Sequence, residues 1–338
     1  MSLEKGLTGL CNLGNTCFIN TILQILSHTE LFNNFLDSNY QVKLNNNDEA
    51  ILLIEWDNLR KLMWKKNCII SPERFLRTIH HLAKKKNILL FTDYSQNDVT
   101  EFIQFLLESF HLGISKEVNI KIEGECKNEN DKIALLCYTT IKKIYEKDYS
   151  IIYNLFHGIF YSQLSNLETK NVIKNIPEPF FILNLPIPEN KIVDLLDCFD
   201  LFTEEEFLID ENAYFNEMSN QKENISKKIY FWSLPDILVI DLKRYNNYSK
   251  KNQKLVSFPL ENLNLSKYVY GYNKDSYKYD LYGICNHTGD TRGGHYYAYI
   301  KTTTNKWYKM NDTEIKEIKN TSSLITSKAY CFFYRKKT

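Results

Sequence analysis

Apolar positions recur at helical spacing through the first half of the chain and in short runs or alternation through the second. Phe18, Ile22, Ile25 and Leu26 predict a helix from about Thr16 to Leu31, with the Thr16 hydroxyl as its N-cap. Leu52, Leu59, Leu62 and Met63 predict another over residues 51–63. Ser71-Pro72 reads as an N-cap followed by proline at the first helical position, opening a helix to about Ala83. Lys84, Lys85 and Lys86 then sit at its C-terminal end, where cations suit the dipole. Val99, Phe102, Ile103, Leu106 and Phe110 form the buried stripe of a further helix, introduced by Ser95 and Asp98 in the manner of a capping box. Residues 112–150 carry less pattern: a polar loop over 125–132 and a helix over 133–144.

From residue 153 the periodicity shortens. Residues 156–160 and 179–186 read as strands, 194–202 as a short helix and 210–228 as a polar tip. Residues 236–245 are an apolar run ending in charges, a central strand whose end reaches a surface, and 256–259 are a strand stopped by proline. Strands follow over 279–285, 295–301, 306–312 and 329–334, with 286–294 a loop and 302–305 a turn. Only Pro72 lies in the first 176 residues, and the other six prolines fall between Pro177 and Pro259. A helical first part and a strand-and-turn second part make the fold class α+β.

Composition narrows the function. With 338 residues, 43% hydrophobic and 25% charged, the chain has enough apolar surface for a sizeable core. A formal net charge of +1 gives no support to a nucleic-acid or membrane-surface role, and no apolar run is long enough to span a membrane. The start Met-Ser-Leu-Glu-Lys lacks the apolar stretch of a signal peptide. The eight cysteines are scattered, as in a reducing compartment, and form no C-x-x-C pair. Short runs such as Asn45–Asn47 read as surface or loop.

One cysteine stands apart. In Gly9-Leu10-Cys11-Asn12-Leu13-Gly14-Asn15-Thr16-Cys17-Phe18-Ile19-Asn20, a polar glycine-bearing loop turns into a helix at Cys17. There the positive end of the dipole favours thiolate, the nucleophilic form. The plainer alternative is a small buried hydrophobe. A turn centred on Thr303-Thr304 places residues whose numbers sum to about 607 opposite one another. His295 then faces Asn311 or Asp312, an arrangement that orients an imidazole and fixes its tautomer. Gly293-Gly294 ahead of His295 leave room for another backbone to approach. Asp98 and Glu101 share a face near a helix start, either as ordinary complements of the dipole or as an acidic patch for a basic ligand.

Together these stretches resemble the ubiquitin-specific proteases, from Gly9 to about Phe333. The likeness rests on five boxes in order: Gly9 to Asn20; Gln96, Asp98, Glu101 and Phe102; Leu234-Pro235 through Lys243-Arg244-Tyr245; Gly293-Gly294-His295-Tyr296; and Trp307-Tyr308 with Asn311-Asp312. The resemblance implies a papain-like thiol protease forming one catalytic domain over 1–338. A mainly helical thumb would cover about 1–150 and a palm about 151–338, with fingers inserted over about 160–235. It implies Cys17 as nucleophile, His295 as general base, Asn311 as orienting residue, Asn12 as oxyanion donor and Asp312 as a supporting group. Gln96, Asp98, Glu101, Gly293, Gly294 and Tyr296 would hold the ubiquitin tail, with Lys243 and Arg244 supporting the palm.

The implied activity is hydrolysis of the bond after the last glycine of ubiquitin. Alternatives are a protease for another modifier ending in Gly-Gly and a ubiquitin-binding scaffold without turnover. Ubiquitin and ubiquitinated proteins are the expected partners, with room for a regulatory protein, inside the cell in cytoplasm or nucleus. Many members carry zinc on two C-x-x-C pairs, which would fall near Asn166 and Thr169 and near Asn216 and Ser219. No cysteine occurs there, so neither metal nor other cofactor is expected.

Overall fold

The computed structural model describes residues 4–38, 40–189, 192–217, 219–245, 250–290 and 293–337. Its first half is helical: α1 (Cys17–Ser27), α2 (Glu30–Asp37), α3 (Asp48–Lys65), α4 (Glu73–Lys85), α5 (Val99–Ile114), α6 (Glu129–Tyr145) and α7 (Ile151–Phe156). Every residue of α1 is buried, including Asn20, Thr21 and Gln24. Gln24 donates to the carbonyl of Thr8 at 2.6 Å, which ties the chain ahead of the helix to its middle. The helix stops at Ser27, short of the expected Leu31. Asn33 and the Trp64 indole donate to the Ser27 carbonyl at 2.7 and 3.0 Å, closing the helix end before α2 starts.

Asparagines read as loop turn out to organise the helices. Asn47 caps α3 by accepting from the amide of Ala50 at 2.9 Å. Asn45 donates to the carbonyls of Leu112 and Ser115, at the C-terminal end of α5. Asp98, not Ser95, caps α5, through the amide of Thr100 at 2.7 Å. Lys85 and Lys86 pair with Asp48 and Glu49 at the start of α3, so the lysine run joins two helices as well as complementing a dipole. α6 begins four residues before the expected 133, where Asn128 and Asp131 form a capping box.

The second half supplies the sheets, with one further helix, α8 (Leu195–Phe202). The strands used below are β1 (Gly158–Asn166), β2 (Val172–Phe180), β3 (Ile182–Leu185), β4 (Ile225–Ser233), β5 (Ile237–Leu242), β6 (Lys278–Asp290), β7 (Gly293–Lys301), β8 (Trp307–Asn311), β9 (Glu314–Ile318) and β10 (Ala329–Lys336). The large sheet runs β9-β8-β7-β6-β10-β5-β3, antiparallel except for the β5–β3 pair. β1, β2, β4 and Glu206–Leu208 form a separate four-stranded arm.

Two expectations fail here. Residues 286–294 are not a loop: β6 runs to Asp290 and β7 starts at Gly293, paired from Asn286–Tyr297 to Asp290–Gly293. Thr291 and Arg292 lie outside the described residues. A glycine-rich polar stretch reads as a loop locally, but pairing across the sheet overrides propensity. The polar tip at 210–228 likewise contains a hairpin, Tyr214–Asn216 with Gln221–Glu223, and the start of β4; Met218 lies outside the described residues.

The large sheet is buried on both faces, which explains why all six residues of β5 are buried. Ile237 and Val239 pack with the helices of the first half, while Leu238, Ile240 and Leu242 pack with α8 and the segments around it. α1 is held between the sheet and α5, and its first residue therefore opens where helices and sheet meet. Among the described residues no helix is long and apolar enough to cross a membrane.

Candidate active site

The loop before α1 is built on one side chain. Asn12 Oδ1 accepts from the amides of Gly14 and Thr16, both at 3.1 Å. Thr16 does not cap the helix as expected; its hydroxyl turns back and accepts from the amide of Leu13 at 2.9 Å. No side chain caps α1, so its first-turn amides and their dipole act on Cys17 and on any oxyanion formed beside it.

The histidine arrives from the sheet. The β7–β8 ladder pairs residues whose numbers sum to 608, as in Ala298–Met310, so His295 and Asn311 meet diagonally. His295 Nε2 donates to Asn311 Oδ1 at 2.5 Å. Nδ1 is thereby left to face Cys17, whose interaction with the ring is the main cause that holds the imidazole up at about 9 against the opposing pull of burial. All eight cysteines are free. Burial pushes the thiols of Cys137 and Cys198 up to about 12 and raises those of Cys285 and Cys331 as well, which suits them to the core. Cys17 alone among them raises a histidine, His295.

Asp312 joins the two sides. Its carboxylate accepts from Asn12 Nδ2 at 3.0 Å and from Asn20 Nδ2 at 2.8 Å, on either side of Cys17. Its own carbonyl accepts from the amide of Leu10. The approach is close: a Cβ at Gly9 would come within 2.5 Å of the Thr313 carbonyl oxygen. An amide nitrogen carries two donors, so Asn12, which is exposed, keeps one N–H for an oxyanion.

The remaining expected residues lie around the start of α5 and the tip of β7. Gln96 grips the Gly294 backbone, accepting from its amide at 2.9 Å and donating to its carbonyl at 3.3 Å. Asp98 spends its second oxygen on Tyr330 and Tyr296, whose hydroxyls donate at 2.7 and 3.4 Å. Glu101 is exposed and opens onto a cavity of about 400 Å³ bounded by Gln104, Phe181 and Asn184. Burial and the neighbouring Asp98 raise its pKa. Arg244 is buried and donates to the carbonyls of Ala329, Asn252 and Lys254, away from the cysteine.

Sequence reasoning assigned no role to Asn20, Tyr330 or Asp241. Asn20 was legible in part, as one of the polar residues that interrupt the apolar stripe of α1. Asp241, buried with its pKa raised well above the ordinary value by burial and by Asp98, sits behind Thr100 on β5. It was hidden in an apolar run.

The positions where zinc would bind do not fit a metal. Asn166, Asn216 and Ser219 all donate to the carboxylate of Glu223, at 3.0, 2.8 and 2.6 Å. The amide of Thr169 donates to Asn166 Oδ1 at 3.0 Å. These hydrogen bonds hold the Glu223 carboxyl below its usual range. Two amide N–H groups and a hydroxyl donating to one carboxylate are a poor zinc set. Among the described residues no group of three or more His, Cys, Asp or Glu could hold a metal ion.

Comparison with known proteins gives a consistent picture. The family model of ubiquitin carboxyl-terminal hydrolase matches residues 8–334. Ubiquitin carboxyl-terminal hydrolase 2 of Homo sapiens is 34% identical over 98% of this chain and 55% of its own length. Ubiquitin carboxyl-terminal hydrolase Usp2 of Drosophila melanogaster is 31% identical over 98% of this chain and 35% of its own. The chain thus spans about a third to just over half of these relatives. Among solved structures, the SAGA Ubp8/Sgf11/Sus1/Sgf73 DUB module bound to ubiquitin aldehyde superimposes with a TM-score of 0.75 at 24% identity. That match covers 100% of this chain and 71% of the other, and is a likeness of fold.

Proposed function

The chain belongs to the ubiquitin carboxyl-terminal hydrolase family, as one of its ubiquitin-specific proteases with a papain-like fold, and from that premise we propose that it hydrolyses the bond after the C-terminal glycine of ubiquitin. The observation that carries this reading is the His295 ring, held between Asn311 and Cys17. A ubiquitin-binding scaffold without turnover has no need of that alignment.

The chemistry runs as follows. The Cys17 thiolate adds to the carbonyl carbon of the last glycine. The oxyanion receives an N–H of Asn12 and the uncapped amides of α1, an arrangement whose single donors are worth roughly 3 kcal/mol in related sites. The His295 imidazolium gives its proton to the departing lysine amine as the C–N bond breaks, leaving a thioester on Cys17. Water then adds to the thioester while His295 takes its proton. The C–S bond breaks, the new carboxylic acid leaves and gives its remaining proton to solvent, and thiolate and imidazolium are restored. Asn311 orients the ring through its carbonyl oxygen and supplies no charge. Asp312 holds Asn12 and Asn20 in place.

The basic, side-chain-poor tail of ubiquitin suits the groove between α5 and β7. Gly293, Gly294 and Tyr296 would form one wall, and Gln96, Asp98 and Glu101 the other. With Asp98 committed to two phenols, Glu101 is the acid left in the open for an arginine. The reaction needs no metal, and the eight free thiols suit a reducing, intracellular setting in cytoplasm or nucleus. A regulatory protein partner would fit a family in which solved relatives sit in multi-protein modules. The test is turnover of ubiquitin bearing a C-terminal fluorogenic amide, beside the same amide on other modifiers ending in Gly-Gly. Release from ubiquitin supports the reading, and release only from another modifier replaces it.

A further inference from the structure

His287 and Lys251 form a contact that the steps above do not use. Lys251 Nζ lies 2.9 Å from His287 Nδ1 and donates to the carbonyls of His287 at 2.8 Å and Gly289 at 3.4 Å. In the β6–β7 ladder Gly289 is the partner of Gly294, and Thr288 the partner of His295. Lys251 therefore grips the strand directly opposite the Gly-Gly wall and the catalytic histidine. Its own backbone is fixed by an antiparallel bridge to Tyr245, three residues beyond β5.

The His287 ring transmits that grip. It stacks on Tyr296, with ring centres 4.3 Å apart and planes 28° from parallel. Its Nε2 edge lies against Gly294, where an added Cβ would come within 2.1 Å of Nε2. An ammonium can only donate, so Nδ1 must offer its lone pair, and the proton of a neutral ring then sits on Nε2. The Tyr245 hydroxyl is also 3.2 Å from Nδ1.

We propose that Lys251 is a positioning residue for the ubiquitin tail: its ammonium locks His287 as the neutral Nε2–H tautomer, flat on Tyr296, and so sets where Gly294 stands in the groove. The inference rests on the reading of the site as a ubiquitin-tail groove. The charged and titratable groups facing His287 are Lys251 from the 250–252 segment, Tyr245 beyond β5 and Asp290 on β6 itself. His295 and Tyr296 on β7, Asp98 before α5 and Tyr330 on β10 complete the set among the described residues. Burial first, then Lys251, lowers the imidazole to about 4, so it stays neutral at working pH. Lys251 is itself lowered to about 8 by burial and by Arg244, and it keeps its charge at neutral pH.

Three measurements on Lys251→Met and Lys251→Arg test this. First, turnover of the ubiquitin fluorogenic amide should fall about tenfold in kcat/KM for Lys251→Met, chiefly through KM, with Lys251→Arg recovering most of it. Second, alkylation of Cys17 by iodoacetamide, which needs no ubiquitin, should change by less than about twofold. Third, nitrogen-15 histidine spectra should show His287 neutral with its proton on Nε2 in the wild type, and in Lys251→Met a mixture of the two neutral tautomers with titration at a higher pH than in the wild type, burial still holding it below the ordinary value of about 6.5. Turnover unchanged within twofold, or an unaltered His287 spectrum, overturns the proposal. So does a parallel fall in turnover and alkylation, which would make Lys251 a purely structural support. If the wild type fails to process ubiquitin, the functional reading fails, while the histidine spectra still report on the clasp.

Discussion

His295 Nε2 donates to Asn311 Oδ1 at 2.5 Å although the two residues are not paired in the ladder. The bond runs diagonally between β7 and β8 on one face of the sheet, a separation that side chains of this length can bridge. It fixes the ring with one nitrogen on Asn311 and the other free for Cys17. Because the acceptor is a neutral amide, orientation is what it provides.

Asn311→Ala should therefore lower kcat by about 10- to 100-fold, the loss expected for one hydrogen bond to a charged group. Asn311→Asp should retain activity and raise the imidazole pKa further. Steady-state kinetics with the fluorogenic ubiquitin substrate check both.

Much of this site was legible in the chain. Cys17 was marked by a glycine- and asparagine-bearing loop running into an apolar helical stripe, and His295 by a hairpin register only one unit off the observed sum of 608. What failed was local reading of polar segments. Thr16 carries a capping side chain that turned to the loop instead, and residues 286–294 hold loop-forming residues that the sheet conscripts as strand. Asp98 looked available because its donors, Tyr296 and Tyr330, lie about 200 and more residues away. Contacts of that range leave no mark on periodicity.

Asp312 offers a second test. Its carboxylate binds Asn12 and Asn20 at once, and its φ of 51° is a left-handed geometry that asparagine tolerates well. Asp312→Asn keeps the backbone but turns an N–H₂ toward one of two donors. It should lower kcat by about 10-fold or more with little change in KM, as the oxyanion donor loses its anchor.

The raised histidine makes a pH prediction. Its folded value of about 9 lies above the ordinary unfolded value of about 6.5. The stability this contributes is fully present below pH 6.5 and is lost as pH rises through 9. Cys17→Ala removes the first cause of the shift. The difference in melting temperature between wild type and Cys17→Ala should thus shrink between about pH 6.5 and 9. Thermal scans across that range check it, and a difference that grows with pH would contradict it.

At the arm's tip, Glu223 gathers Asn166, Asn216 and Ser219. Excess EDTA should leave both melting temperature and turnover unchanged. Glu223→Gln should raise hydrogen exchange locally, over residues 206–224 and 166–171, while the core of the large sheet keeps its protection. A fall in melting temperature on chelation would show that a metal contributes after all.

The most direct test of the central claim is mass spectrometry of the protein mixed with ubiquitin carrying a C-terminal electrophile, wild type beside Cys17→Ala. The geometry of Cys17, His295 and Asn311 predicts a one-to-one adduct on Cys17 that is absent in the variant. No adduct in the wild type, or one on another of the eight cysteines, would contradict it.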